Sequence, residues 1–128
     1  MVDDGPLVSL VDDDASFRQA TRSLLRSAGF RVQASDSAEQ FLEETDLAGV
    51  RCLIVDLRMP GMSGLDLQRR VEASGYDIPI IFVTAHADDR SQSRAMNGGA
   101  IAFLPKPFDA EELIGAVRAA IKGSRPVW

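Results

Sequence analysis

The stretch LIVDLRMPGMSG, Leu53 to Gly64, opens as an apolar run and closes as a turn. With Cys52 in front, CLIVD (Cys52–Asp56) is continuously apolar up to its last residue, the pattern of a central parallel strand covered on both faces. Its end carries one carboxylate, Asp56, where burial penalises a charge most. Pro60 and Gly61 then turn the chain. Gly64 begins a helix at close quarters, GLDLQRRVEA (Gly64–Ala73).

The same alternation of short apolar runs and amphipathic runs extends in both directions. Upstream, LVSLV (Leu7–Val11) is a strand that ends in Asp12, Asp13 and Asp14. From Ala15 to Ala28, Phe17, Ala20, Leu24, Leu25 and Ala28 form a helical stripe, closed by Gly29 at the position after the cap. Arg18, Arg22 and Arg26 recur every fourth residue on another face, which reads as a solvated surface. FRVQA (Phe30–Ala34) alternates with period two, as a strand near a sheet edge does. Ser35 or Ser37 caps a helix running to about Thr45, with Ala38, Phe41 and Leu42 inward.

Downstream, IPIIFVT (Ile78–Thr84) is a buried strand and Asp88 to Asn97 a mostly polar helix closed by Gly98 and Gly99. IAFL (Ile101–Leu104) is the last strand. Asp109 caps a helix to about Ile121, with Leu113, Val117, Ala120 and Ile121 on one face. Five strands and five helices in strict alternation predict a doubly wound α/β sandwich with a parallel sheet. Ligand chemistry then belongs at the carboxyl ends of the strands.

The 128 residues fit one compact domain, 45% hydrophobic and 26% charged. We place that domain at residues 1–122 and read 123–128 as a tail or the start of a linker, with Trp128 frayed. Cys52 is the single cysteine, so no internal disulfide forms, and its apolar setting reads as a buried structural thiol. No apolar run approaches a membrane span, and MVDDGP is acidic where a secretory signal is basic, so we expect a cytoplasmic protein. A net charge of −5 argues against direct nucleic-acid binding by this domain.

The strand ends bring together Asp12 and Asp13 from the first, Asp56 from the third, Thr84 from the fourth and Lys106 just past the fifth. Crowded carboxylates repel unless a cation joins them. A hard divalent ion such as Mg²⁺ suits such oxygen ligands and keeps positions open for a phosphoryl oxygen. With the Lys106 amine and the Thr84 hydroxyl, these are the parts of a phosphoryl-transfer site in which one carboxylate is the nucleophile.

VDDD after the first strand, VDLRMPGMSGL after the third, VTAH after the fourth and FLPKPF after the fifth resemble the receiver domain of bacterial two-component response regulators. The resemblance runs from about Leu7 to Ile121 and is nearest to FixJ-type receivers. It implies a flavodoxin-like (CheY-like) sheet of order 2-1-3-4-5. It also implies that Asp56 accepts the phosphoryl group from a sensor histidine kinase. Mg²⁺ would be held by Asp12, Asp13, Asp56 and the backbone carbonyl of Arg58. Lys106 would contact the phosphoryl group from a cis Lys106–Pro107 peptide. Thr84 would move toward that group and Phe103 would turn inward into the vacated space. The family often has tyrosine at the Phe103 position, and phenylalanine, lacking the hydroxyl, disfavours an outward rotamer. The change would reach the face of the fourth helix, fifth strand and fifth helix. The implied consequences are homodimerisation or a DNA-binding, transcriptional output domain outside this chain. Such a chain assists its own phosphorylation and dephosphorylation and is not a turnover enzyme.

Other readings stand beside these. Asp14 reads as the cap of the first helix. His86, the single histidine, is either a solvated loop residue or, as the resemblance implies for the position two past Thr84, tunes loss of the phosphoryl group together with Arg58. Met59 and Met62 fill apolar gaps around Pro60, and Phe108 is a packing residue. A rival function is a small haloacid-dehalogenase-like phosphatase using Asp12 as nucleophile and Asp14 as acid.

Overall fold

A computed structural model describes residues 5–123. The elements alternate in chain order: β1 (Leu7–Val11), α1 (Ala15–Ser27), β2 (Arg31–Ser35), α2 (Ala38–Glu44), β3 (Cys52–Asp56), α3 (Gly64–Ala73), β4 (Ile80–Thr84), α4 (Asp89–Asn97), β5 (Ala102–Pro105) and α5 (Ala110–Gly123). A 3₁₀ turn, Leu47–Gly49, precedes β3. All strand pairs are parallel, in the order β2-β1-β3-β4-β5. The direction of winding reverses between β1 and β3, the topological switch point where α/β sheets bind ligands.

Period-two alternation along the strands feeds two cores. Leu53, Val55, Phe82 and Phe103 face one side, packed with Phe41 of α2, Leu67 and Val71 of α3 and Ala95 of α4. Leu10, Ile54, Ile81 and Val83 face the other, packed with Leu25 of α1 and Leu113 and Val117 of α5. The central strands β3 and β4 are buried along their whole length. The edge strand β2 is half exposed, matching its alternating sequence.

Several boundaries differ from the sequence reading for local reasons. Ser37, not Ser35, caps α2, its side chain accepting from the Gln40 N–H at 3.0 Å. β2 starts at Arg31 because the Phe30 N–H donates to Leu25 O at the end of α1, 3.1 Å away. β4 starts at Ile80 rather than Ile78, since Pro79 has no N–H for the ladder and contributes only its carbonyl, which accepts from Leu53 at 2.9 Å. β5 is shifted one residue, to Ala102–Pro105. The 3₁₀ turn was not anticipated; Asp46 caps it by accepting from the Ala48 N–H at 3.1 Å. α5 extends to Gly123, and the expectation about Trp128 lies outside the described residues. Among the described residues no helix is long and apolar enough to cross a membrane.

Candidate functional site

The site is built at the carboxyl rim of β1, β3, β4 and β5. Strand β3 fixes Asp56 at its last position, hydrogen-bonded in register opposite Val83. The chain then leaves the sheet: the Leu57 N–H donates to Val83 O at 3.0 Å and the Gly64 N–H to Leu57 O at 3.0 Å. Only glycine fits at position 64. A Cβ there would lie 2.5 Å from the Asp56 carbonyl oxygen and 3.0 Å from Leu57 Cα. Ser63 and Asp66 form a reciprocal capping box that starts α3 at this close approach. The turn is held from outside by Glu39 of α2, whose carboxylate accepts from the Met62 N–H at 3.0 Å. Gly61 takes a positive φ of 77° beside that carboxylate.

Asp12, Asp13 and Asp56 each offer a carboxylate oxygen, and these atoms all lie within 4.8 Å of one another. Asp12 is fully buried, Asp56 nearly so, and Asp13 is exposed. Lys106 spans the first two: its Nζ is 2.9 Å from Asp12 Oδ2 and 3.9 Å from Asp56 Oδ2. The ammonium also sits 3.9 Å above the centre of the Phe17 ring, and Phe108 meets that ring edge-on at 6.0 Å. Phe108 is therefore a packing residue, as its sequence setting implied. The Lys106–Pro107 peptide is cis.

Burial, and then the Asp12 charge, push the Asp56 carboxyl above the ordinary carboxylate range. The Arg58 N–H, donating to Asp56 Oδ1 at 3.2 Å, and the Lys106 ammonium pull the other way, while Asp13 adds a smaller upward push. The folded chain thus confines three carboxylates against one ammonium. All the donors are oxygens, and the single Lys106 ammonium leaves the cluster short of positive charge. Both properties fit a hard divalent cation such as Mg²⁺, which takes oxygen ligands and would lower the cost of the crowded charge.

Thr84, at the end of β4, is fully buried, and its Oγ1 accepts from the His86 N–H at 3.0 Å. Its carbonyl accepts from the Lys106 N–H at 2.7 Å, tying the lysine's backbone to the same strand end. Phe103 is already 91% buried in the core beside Phe82 and Ala95. His86 is exposed on the β4–α4 loop. Arg58, also exposed, reaches across the site to Asp88, Nη2 to Oδ2 at 3.0 Å. Asp88 in turn caps α4 by accepting from the Ser91 N–H at 2.8 Å. Asp14 caps α1, accepting from the N–H groups of Ser16 at 3.0 Å and Phe17 at 3.2 Å. That contact accounts for its carboxylate without a catalytic role.

Sequence reasoning missed four supporting residues: Glu39, Phe17 as a partner of Lys106, Asp88 as a partner of Arg58, and Arg18. The Arg18 guanidinium donates to the Asp12 carbonyl at 2.7 Å. Phe17 was visible as an apolar position in α1, but nothing local distinguished its contact with Lys106 from core packing.

Comparison with known proteins agrees with this architecture. The family model for the response regulator receiver domain matches residues 8–118. The response regulator protein TodT of Pseudomonas putida is 44% identical over 122 residues, covering 95% of this chain and 54% of the relative. The transcriptional regulatory protein FixJ of Bradyrhizobium diazoefficiens is 37% identical, covering 93% of this chain and 58% of the relative. The chain therefore spans about half the length of these curated relatives. The solved structure of response regulator StyR superposes with a TM-score of 0.87 at 48% identity, covering 94% of this chain and 61% of that one. The crystal structure of FixJ-N gives 0.82 at 37% identity, with 91% and 93% covered. The haloacid-dehalogenase-like alternative finds no support in these comparisons or in the capping role of Asp14. With a family model that spans most of its length, the chain belongs to the response regulator receiver family, whose members act as phosphorylation-dependent switches.

Proposed function

We propose that Asp56 is the phosphoacceptor of this receiver and that residues 1–122 form the phosphoacceptor domain, followed by a tail or linker at 123–128. The observation that supports this most is the placement of Asp56. A nearly buried carboxylate, pushed above the ordinary range, is held on a rigid strand end 3.9 Å from the Lys106 ammonium and beside Asp12 and Asp13. A carboxylate made more basic by its surroundings is a better nucleophile toward phosphorus. One Asp56 oxygen attacks, the bond from phosphorus to the donor's leaving atom breaks, and an aspartyl phosphate results.

Asp12, Asp13, Asp56 and the Arg58 carbonyl would hold Mg²⁺, which supplies charge neutralisation for the transferred group. Lys106 neutralises a phosphoryl oxygen from its position between Asp12 and Asp56. Thr84 exchanges the His86 N–H it now accepts for donation to the phosphoryl group, drawing the β4–α4 loop inward. Phe103 is buried before any such change, so in this chain the large outward-to-inward rotation is replaced by movement of Thr84 and its loop. The phosphoryl group also competes with Asp88 for the Arg58 guanidinium, which alters the start of α4. By these two routes the change reaches the α4-β5-α5 face. His86 and Arg58, in this reading, set how fast water removes the phosphoryl group.

In this reading the donor is a sensor histidine kinase in the cytoplasm. The readout is homodimerisation or a DNA-binding output domain outside this chain. The chain assists its own phosphorylation and dephosphorylation without turning over a separate substrate. Incubation with acetyl phosphate and Mg²⁺, followed by intact mass measurement, tests the assignment. The parent gains one phosphate, chelator prevents it, and Asp56→Asn gains none. Equal labelling of Asp56→Asn overturns the assignment.

A further inference from the structure

The arginine repeat on α1, which reads from sequence as a solvated face, lies over a groove between that helix and the edge strand β2. The groove, about 440 Å³, is lined by Arg18, Gln19, Arg22, Ser23, Arg26 and Ala34, with Ala15 at one end. Among the described residues no carboxylate lines it. In a chain whose net charge is −5, this is a concentrated cationic surface. Arg18 is anchored by its bond to the Asp12 carbonyl. Among the described residues, Arg22 and Arg26 have no ion-pair partner and both are exposed.

Residues four apart on a helix advance by about 6 Å, so the guanidinium row extends roughly 12 Å along α1. Arginine presents a planar fork matched to carboxylate geometry, and arginine is only weakly hydrated, so an acidic partner is bound with modest desolvation. On the β2 side the small side chain of Ala34 leaves room for a rod to approach. A helix bearing carboxylates at four-residue spacing has the same repeat as the arginine row, so three pairs can form in register. A nucleic acid fits less well, because the row is short and the remainder of the chain is acidic and repels an extended polyanion.

We propose that the α1–β2 groove is a docking site for an acidic helix of a partner protein, read by Arg18, Arg22 and Arg26. Arg22 and Arg26 stand apart from the phosphoacceptor site, while Arg18 borders it through the Asp12 carbonyl; the docking does not depend on how that site is used.

The probe is a fluorescently labelled helical peptide of about 16 residues with glutamate at every fourth position, long enough to hold a helix. Its counterpart has glutamine at those positions. Fluorescence anisotropy with the intact chain at low salt shows binding of the glutamate peptide and at least tenfold weaker binding of the glutamine peptide. Affinity falls as salt rises. The Arg22→Glu/Arg26→Glu variant weakens glutamate-peptide binding at least tenfold while phosphorylation by acetyl phosphate is retained. Arg22→Gln/Arg26→Gln provides the same comparison if charge reversal disturbs folding. Equal binding of the two peptides, unchanged binding by both variants, absence of binding at low salt, or tighter binding of a single-stranded oligonucleotide of the same charge each overturns the proposal.

Discussion

Replacing Asp56 with asparagine removes a charge that the folded chain holds at a cost, so Asp56→Asn raises the stability of the metal-free protein at neutral pH. The oxygens of Asp12, Asp13 and Asp56 lie within 4.8 Å of one another. At an effective dielectric of about 20, two unit charges at that distance repel by roughly 3–4 kcal/mol. Lys106, at 3.9 Å from Asp56, returns about 4 kcal/mol on the same scale. Asp13 is exposed and solvent screens much of its share, so the repulsion from Asp12 and the attraction to Lys106 nearly cancel. Desolvation of Asp56, its largest perturbation, then remains together with the screened Asp13 repulsion. We expect a gain of about 1–2 kcal/mol, or roughly 4–8 °C in Tm, in a domain of this size. Asparagine keeps the acceptor for the Arg58 N–H and can turn its amide toward the neighbouring carboxylates.

The pH dependence follows from the direction of the shift. Asp56 binds its proton more tightly folded than unfolded, where its pKa is near 3.8. Its ionisation therefore costs stability progressively as pH rises through the unfolded value, and in full above the folded one. The advantage of Asp56→Asn is small near pH 4 and grows toward pH 8. Urea melts of both proteins across that range, in chelator, measure it. Equal or lower stability of Asp56→Asn at pH 7–8, or a gain that does not grow with pH, refutes the reasoning.

Four further outcomes follow. Mg²⁺ at about 100 times its Kd stabilises the parent by about 2.7 kcal/mol through linkage, and thermal melts show a smaller gain in Asp56→Asn. Gly64→Ala destabilises by about 1–3 kcal/mol in urea melts, because its Cβ would meet backbone atoms of Asp56 and Leu57 rather than a movable side chain. Burial pushes the Cys52 thiol up to about 12, so it stays unreactive to thiol reagents at pH 8 until denaturant unfolds the chain; prompt reaction of the native protein contradicts its placement. His86→Ala and Arg58→Ala each change the half-life of the phosphorylated form, read by loss of the added phosphate mass, and unchanged half-lives remove both from that role.

The strand-end residues were legible because a strand is a local object: CLIVD shows its own burial, and a doubly wound sheet sends every such end to one rim. Asp12 and Lys106, 94 residues apart, could be paired from sequence through that topology alone. Contacts made by loops and helix faces follow no such rule. Glu39 reaches Met62 across 23 positions and Arg58 reaches Asp88 across 30, and each residue looks locally like an ordinary solvated charge. Asp14 was readable as a cap because its hydrogen bonds fall within three residues; Asp88 carried the same local signal, but the sequence reading starts the helix on it. Asp46 ahead of Leu47–Gly49 carried the same kind of local signal and was overlooked. The arginine repeat was visible as a periodicity, but its groove exists only once β2 lies alongside α1.

The most direct test of the central claim is the position of the phosphate. After acetyl phosphate and Mg²⁺, borohydride reduction converts an aspartyl phosphate to homoserine, and peptide sequencing by mass spectrometry locates it. The account predicts homoserine at position 56 alone. Modification at position 12, 13 or 14 with Asp56 intact would contradict it.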